Sequence, residues 1–280
     1  MTGTLYIVGT PIGNLGDMTF RAVETLKTVE LIAAEDTRRT GKLLQHFGIT
    51  TPQISYHHHN RAQRTPELCD RLRQGITIAL VSDAGMPGIA DPGYELVCAC
   101  VAAQIPVVPI PGVTAAITAL AASGLSSDRF CFEGFLPAKS KPRLAQLQTL
   151  ANQPQTLIFY EAPHRLLVML QDLTTVLGGD RSVVITRELT KLHETFWRGT
   201  LTEAIAYYGE HSPKGEFTLL VAGASVEPVT ISLEQLKTQL RDLLNQGMTR
   251  SQASRHLSIQ TQLPRRQIYQ LSLELTDQQP

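Results

Sequence analysis

The sequence predicts a two-domain α/β protein followed by a small all-helical tail. Over residues 1–115 short apolar runs alternate with helical stretches, the signature of a mostly parallel sheet. A second alternation of strands and helices fills residues 116–226 and reads as a mixed sheet. At residues 226–233, VEPVTISL, the composition shifts to that of a linker, and only helical patterns remain within 227–280.

The first domain opens with strand LYIVG (5–9) and helix TFRAVETLKTV (19–29), where Phe20, Val23, Leu26 and Lys27 to Val29 give a helical stripe. Strand LIAAED (31–36), helix TRRTGKLLQHFG (37–48), strand QISYH (53–57) and helix RTPELCDRLRQG (64–75) follow. Gly48 and Gly75 stand just past their helices, as C-terminal caps do. Strand ITIALVSD (76–83), helix YELVCACVAAQ (94–104) and strand PVVPIPG (106–112) complete the domain. The second domain runs through helix 113–124, strand 129–135, helix 140–152, strand 155–161, helix 164–178 and strand 181–189. FWRGTL, another helix and the strand GEFTLLVAG (215–223) end it.

The chain has 280 residues, 42% of them hydrophobic and 18% charged, enough for real cores. Lys plus Arg equals Asp plus Glu at 25 each, so any nucleic-acid role must rest on a local basic surface. No apolar run approaches the roughly 20 residues of a membrane span, and the first strand begins too early for a signal peptide. The four cysteines, Cys69, Cys98, Cys100 and Cys131, lack metal-pair spacing. Cys98 and Cys100 in ELVCACVAA read as small core residues, and all four as reduced thiols of a cytoplasmic protein.

Three glycine-rich stretches join strands to helices: LYIVGTPIGNLGD (5–17), SDAGMPGIADPG (82–93) and PIPGVTAA (109–116). The first fits neither G-x-G-x-x-G, because Pro11 follows Gly9 at the wrong place, nor the P-loop, because Asn14 replaces its second glycine. In the second, Gly85, Pro87, Gly88 and Pro92 prevent helix, and small residues let a ligand approach the backbone. Such crevices lie beyond the carboxyl ends of strands. Asp91-Pro92 is suited to start a helix, and Asp91 is read as an N-cap ahead of a ligand. Asp83, at the strand end, is better placed to bind. No Lys or Arg accompanies the glycines; the residues at hand are Asp17, Asp83, Asp91 and Thr114. The expected ligand is apolar and amide-rich, compatible with positive charge, and without a phosphate chain. S-adenosylmethionine fits that description, and NAD or ATP fits poorly.

GTPIGNLGD, AEDTRRT, SDAGMPGIADPG, PIPGVTAAITALAASG, EGFLP, FYEAPHR and KGEFTLLVAG occur in order. Together they resemble the ribosomal RNA small subunit methyltransferase I family of the tetrapyrrole (class III) methylase superfamily, over residues 4–225 with a weaker match in the tail. The resemblance implies a tetrapyrrole-methylase-like fold, a homodimer, and S-adenosylmethionine in the cleft between two domains. It implies 2′-O-methylation of a cytidine in the decoding region of 16S ribosomal RNA, within the small ribosomal subunit. It assigns cofactor contacts to Pro11, Ile12, Asp83, Ala84, Gly85, Met86, Ile89, Thr114 and Ala115, with Tyr160, Glu161 and Glu216 from the second domain. In ISYHHHNRAQ three histidines, His57, His58 and His59, stand where the family shows His-acid-His. Alternating faces in a strand let at most two converge, so a polar loop near the RNA is favoured over metal; no metal is expected.

A ribose hydroxyl is a weak acid, so a base or a positive charge would help remove its proton. Glu35 and Arg38 in AAEDTRRT, and Arg165 in EAPHRL, are the residues expected to handle substrate. The competing reading gives Asp36 to a helix cap and leaves Arg38 and Arg39 solvated. His164 would more often be structural, and no single base is named. In the tail, TRSQASRHLSIQTQLPRRQIYQLSLEL outlines a helix-turn-helix with Arg250, Arg255, Arg265 and Arg266 for phosphates, and no acidic residue lies between 243 and 273. Two alternatives remain: a methyltransferase for a tetrapyrrole or other small molecule, and a non-catalytic ribosome-associated RNA-binding protein.

Overall fold

The computed structural model describes residues 2–225, 232–261 and 263–275. Most of the linker read at 226–233 lies outside the described residues. The chain divides into two compact units, Met1–Ala224 and Ser225–Pro280.

The first unit contains two five-stranded sheets. β1 (Leu5–Val8), α1 (Phe20–Thr28), β2 (Leu31–Ala34), α2 (Thr37–His46), β3 (Gln53–Ser55), α3 (Arg61–Arg73), β4 (Ile78–Val81), α4 (Tyr94–Ala102) and β5 (Val107–Ile110) build the first. Its order is β3-β2-β4-β1-β5 and every pair is parallel. The interior strands β1, β2 and β4 are apolar throughout because both faces are covered, whereas the edge strand β3, Gln53-Ile54-Ser55, is not. Leu5, Leu31, Ala33, Ile78 and Leu80 face one way, packing with Leu68 and Leu72 of α3 and Leu96 of α4. Val8, Ile32, Ala34, Ala79 and Val81 face the other, against Leu26 of α1 and Leu44 of α2. Gly48 and Gly75 take φ +63° and +98° at the ends of α2 and α3, the left-handed region that a side chain resists.

α5 (Ala115–Ser123), β6 (Phe130–Phe135), α6 (Ser140–Leu150), β7 (Thr156–Glu161), α7 (Leu166–Leu177), β8 (Ser182–Arg187), β9 (Thr195–Thr200), α8 (Leu201–Glu210) and β10 (Phe217–Val221) follow. The second sheet runs β6-β7-β10-β8-β9, with β6 parallel to β7 and the other pairs antiparallel. Leu157, Phe159, Val183, Ile185, Leu219 and Val221 pack against α6, α7 and α8. Ile158, Val184 and Leu220 meet Ala116, Ala119 and Leu120 of α5 on the opposite face. α5 is therefore the lid on the second sheet, although the chain reaches it directly from the last strand of the first.

Two sequence expectations need correction. Phe20 is 93% exposed; the inward stripe of α1 is Ala22, Leu26 and Val29, and Phe20 lies off it at the first helical position. Cys98 is exposed while Cys100 is buried, because residues two apart point to different sides of a helix.

The second unit is a small helical domain of α9 (Leu233–Asn245), α10 (Arg250–Thr261) and α11 (Arg265–Glu274). Leu236, Leu240, Ala253, Leu257, Ile268 and Leu271 form its core. Ser232 and Gln235 make a capping box at the start of α9. Arg255, Arg265 and Arg266 are exposed and Arg250 is half-buried. Arg265 Nη2 donates to Ser251 Oγ at 2.8 Å, tying the start of α11 to α10.

Candidate active site

β4, β1 and β5 are neighbours in a parallel sheet, so their carboxyl ends lie side by side. These ends carry the three glycine-rich loops. Thr10 and Gly85 form a small antiparallel bridge, with N–H···O distances of 2.9 and 3.0 Å, joining the first loop to the second. Gly9 and Gly112 join the first to the third: a Cβ on Gly112 would stand 2.7 Å from the Cα of Gly9. The glycines thus let three loops stack backbone on backbone.

The second sheet closes the space from across. Its antiparallel register sets Phe217 opposite Glu161 and Thr218 opposite Tyr160, so the exit of β7 and the start of β10 present side chains together. Tyr160 Oη accepts the N–H of Ala116 at 3.1 Å and thereby fixes the start of α5. Thr114 caps the same helix, accepting from Ile117 N–H. Between these walls lies a cavity of about 410 Å³.

Ile12, Met86, Ile89, Ala115, Phe135 and Phe217 supply apolar wall. Glu35, Asp83, Asp91, Glu161 and Glu216 supply carboxylates, and Arg39 is the single Lys or Arg among the lining residues. Asp83 Oδ1 accepts Asp36 N–H and Glu35 Oε2 accepts Asp83 N–H, each at 3.1 Å, so the ends of β2 and β4 hold one another. Arg39 pairs with Asp83 at 3.1 Å. Burial pushes the Glu35 carboxyl up, with the Asp83 charge adding to the rise while the Asp83 N–H opposes it. Burial, reinforced by Glu35 and Asp83, pushes Asp91 up to about 7. Glu161 has a fully buried side chain. Its Oε1 accepts Ala162 N–H at 2.8 Å and meets Arg165 Nε at 3.2 Å, while its buried Oε2 has no protein partner. A buried, unpartnered carboxylate oxygen beside a cavity calls for a donor from a ligand.

The structure brings Glu35, Ile12, Asp83, Ala84, Gly85, Met86, Ile89, Thr114, Ala115, Tyr160, Glu161 and Glu216 to this one cavity. Pro11 borders an adjoining space of about 240 Å³ with Gly13, Lys42 and Ser82. Arg38 borders neither. It is 88% exposed and bound to Asp36, which caps α2 through Arg38 N–H at 2.9 Å; the Arg38 guanidinium holds the Asp36 carboxyl well below the usual range. Arg165 stands behind the cavity, its Nη2 on the Leu136 carbonyl at 2.7 Å.

Asp91 corrects the sequence reading. α4 begins at Tyr94 with Gly93 as its N-cap, and Gly88 N–H donates to Pro92 O. That turn holds Asp91 out of the cap and leaves it in the cavity. Arg39 and Phe135 were also missed. An arginine one turn into a helix and an aromatic after a strand carry no local signal of what they will face.

His57 to His59 form the turn between β3 and α3, where His57 N–H donates to the Asn60 side chain at 2.8 Å. Among the described residues no group of three or more His, Cys, Asp or Glu is arranged to hold a metal. None of the described helices is long and apolar enough to cross a membrane.

Residues 4–205 match the family model for tetrapyrrole (corrin/porphyrin) methylases. The chain is 65% identical over 274 residues to a ribosomal RNA small subunit methyltransferase I from Synechocystis sp., covering 98% of both chains. It is 50% identical over 273 residues to the protein of that name from Halalkalibacterium halodurans, covering 96% of this chain and 94% of the relative. This chain belongs to the ribosomal RNA small subunit methyltransferase I family. A solved structure, a uroporphyrin-III C-methyltransferase from Thermus thermophilus complexed with S-adenosylhomocysteine, shares the fold of these tetrapyrrole methylases. Its TM-score is 0.58 at 19% identity, covering 78% of this chain and 97% of that one.

The methyltransferase family uses S-adenosylmethionine as donor, and the cavity suits that molecule. Its carboxylates outnumber its one guanidinium five to one, which favours a sulfonium and an ammonium and disfavours a phosphate chain. The apolar wall suits an adenine, and Glu161 Oε2 lacks the donor that a ribose hydroxyl or an amine would bring.

Proposed function

We propose that the chain transfers a methyl group from S-adenosylmethionine to the 2′-oxygen of a cytidine in the decoding region of 16S ribosomal RNA, acting as a homodimer on the small ribosomal subunit. The observation that carries the reading is the cavity itself: backbone from three strand ends on one side, five carboxylates around it, and one cation. Its family supports ribosomal RNA as the substrate. The choice of cytidine, 2′-oxygen and decoding region rests on the motif resemblance.

S-adenosylmethionine supplies a methyl group activated by a sulfonium. The chain supplies alignment and a dry, charged surround. Pro11 to Ile12, the 83–89 loop and Thr114-Ala115 hold the donor by backbone and apolar contact, with Tyr160, Glu161 and Glu216 opposite. Glu35, held by Asp83 N–H, orients the ribose hydroxyl. Asp91, pushed up to about 7, is matched to accept the hydroxyl proton near neutral pH. Arg38, at the surface, meets an RNA phosphate, and Arg165 fixes Glu161. In the helical domain, Arg250, Arg255, Arg265 and Arg266 contact phosphates and position the RNA without reading its sequence.

The test is transfer of labelled methyl groups to small subunits that lack the modification, followed by digestion to nucleosides. Label in 2′-O-methylcytidine is expected. Absence of transfer to subunits and to naked RNA, from protein that still binds donor, would overturn the RNA reading and leave the small-molecule methylase. Absence of donor binding would leave the non-catalytic RNA-binding protein.

A further inference from the structure

A third concavity, about 490 Å³, shares Phe217 as a wall residue with the donor cavity. Its lining is aromatic and basic: Trp197 from β9, Tyr207 and Tyr208 from α8, His211, Arg187 and Lys214. No carboxylate lines it. The Tyr207 and His211 rings stack at 4.3 Å with planes 14° apart, and Trp197 lies 5.8 Å from Tyr207 at 31°. Tyr208 closes the floor edge-on to Phe217. Arg187 Nε donates to the Lys214 carbonyl at 2.6 Å, which anchors the guanidinium at the rim. The Lys214 ammonium has no ion-pair partner among the described residues.

The register of the second sheet produces this arrangement. Arg187 lies opposite both Phe217 and Thr195, so the ends of β8, β9 and β10 gather at one edge. The same edge presents Tyr160 and Glu161 to the donor cavity. Tyr208 belongs to the core of this unit and Trp197 packs against it, whereas Tyr207 is left 40% exposed, an aromatic surface that a flat ligand would cover. A stack of rings beside cations, with no carboxylate in the lining, matches a further stacked base with its phosphate.

We propose that this groove holds single-stranded nucleotides flanking the modified one, with a base stacked on the Trp197–Tyr207–His211 platform and its phosphates on Arg187 and Lys214. The inference deepens the rRNA reading and rests on it. The reacting 2′-hydroxyl must reach a donor recessed in a cavity of about 410 Å³, which a single strand enters more readily than a rigid duplex, provided its neighbouring nucleotides are held. A platform resting on Tyr208, which meets the Phe217 shared with the donor cavity, does that holding.

Trp197 is the sole tryptophan of the chain, so its emission reports on this groove without labelling. The experiment titrates the full chain with a twelve-nucleotide single-stranded RNA, reading emission and, with a labelled copy of the oligonucleotide, anisotropy. Binding should quench Trp197 in step with anisotropy. Tyr207→Ala should weaken binding about tenfold, while Tyr207→Phe, which keeps the ring, should stay within about twofold. Lys214→Gln should flatten the slope of log affinity against log salt by about 0.7. Anisotropy that saturates with no change in emission would overturn the proposal, as would a Tyr207→Ala variant that binds like the parent. Emission that shifts with protein concentration alone and is insensitive to RNA would assign the groove to a second copy of the chain, and would also overturn it. Quenching without methyl transfer to subunits would fail the rRNA reading and keep the groove; transfer without quenching would fail the groove alone.

Discussion

The all-parallel sheet reaches the donor cavity with stacked backbone as well as side chains, and the mixed sheet reaches it with side chains set by strand register. At the ends of β4, β1 and β5 the approach is so close that Gly9 and Gly112 leave no room for a methyl group. At the ends of β7 and β10 the antiparallel register brings Tyr160, Glu161, Phe217 and Thr218 together. Parallel neighbours send all their carboxyl ends to one edge, where loops must turn tightly and stack. An antiparallel pair sends one end and one beginning there, and the chain arrives already carrying ordered side chains. Close backbone packing is therefore the first sheet's own contribution, while charge comes from both: Glu35, Arg39, Asp83 and Asp91 from the first, Glu161 and Glu216 from the second.

The strongest way to break this contrast is to add one carbon on the backbone side. Gly112→Ala places a Cβ 2.7 Å from the Cα and 2.9 Å from the carbonyl carbon of Gly9, both main-chain atoms. The loops must part, at a cost of about 1–3 kcal/mol. S-adenosylhomocysteine affinity, read by calorimetry, should fall by about 5- to 150-fold if that cost is borne by the bound state, and the melting temperature should drop as well. Gly124→Ala, a left-handed residue with open space around it, should cost about 1 kcal/mol of stability and leave affinity unchanged. Equal affinities in the parent and Gly112→Ala would remove the backbone account of the first sheet.

Protonation sharpens the contrast next, because Asp91 belongs to the first sheet's loops yet acts by charge. With Asp91 pushed up to about 7, its carboxylate forms across neutral pH. Affinity for the cationic donor should rise about fivefold between pH 6 and 8, and affinity for the uncharged thioether product should rise less. Stability moves the opposite way. The folded value exceeds the ordinary 3.8, so the contribution is full below about pH 4 and is lost as pH rises through 7. Asp91→Asn should melt higher than the parent at pH 8, by about 1–2 kcal/mol after allowance for solvent in the cavity, and level with it at pH 4. Parallel pH profiles for donor and product would show that Asp91 does not sense the sulfonium.

These two regions also differ in how far the sequence foretells them. Glycine and proline at strand ends are local signals, so the 5–17, 82–93 and 109–116 loops were legible as ligand-binding backbone. Apolar runs alternating with helices likewise marked the strands of both sheets except β9, an edge strand whose residues are half-buried or exposed and leave no such run. Asp91 was misread because Asp-Pro is a good helix start by itself, and only the Gly88–Pro92 turn moves it into the cavity. The stripe of α1 was displaced for a similar reason: period alone does not say which of two candidate faces meets the sheet. Side chains set by strand register, such as Phe217 opposite Glu161, have no local signature. Their meaning appears only when β10 is inserted between β7 and β8.

The smallest expected effect separates two adjacent arginines that the sequence presents as equivalents. Arg39 borders the cavity and pairs with Asp83, whereas Arg38 is turned to solvent on Asp36. The pair is two-pronged, Nε and Nη2 on the two Asp36 oxygens at 3.1 and 2.7 Å, but Arg38 is 88% exposed, so a phosphate can reach the guanidinium from the solvent side. Arg38→Ala should weaken RNA binding about threefold and flatten its salt dependence by about one unit, with donor affinity unchanged. Arg39→Ala should act in the other direction on the donor. Removing the one cation leaves Asp83 to face the sulfonium unpaired, and S-adenosylmethionine should bind about twofold tighter. Calorimetry with the donor and anisotropy with RNA, run on both variants, read the four quantities. Identical behaviour of the two variants would mean that the cavity extends in solution to the Arg38 side of α2, and the division between donor wall and RNA surface would have to be redrawn there.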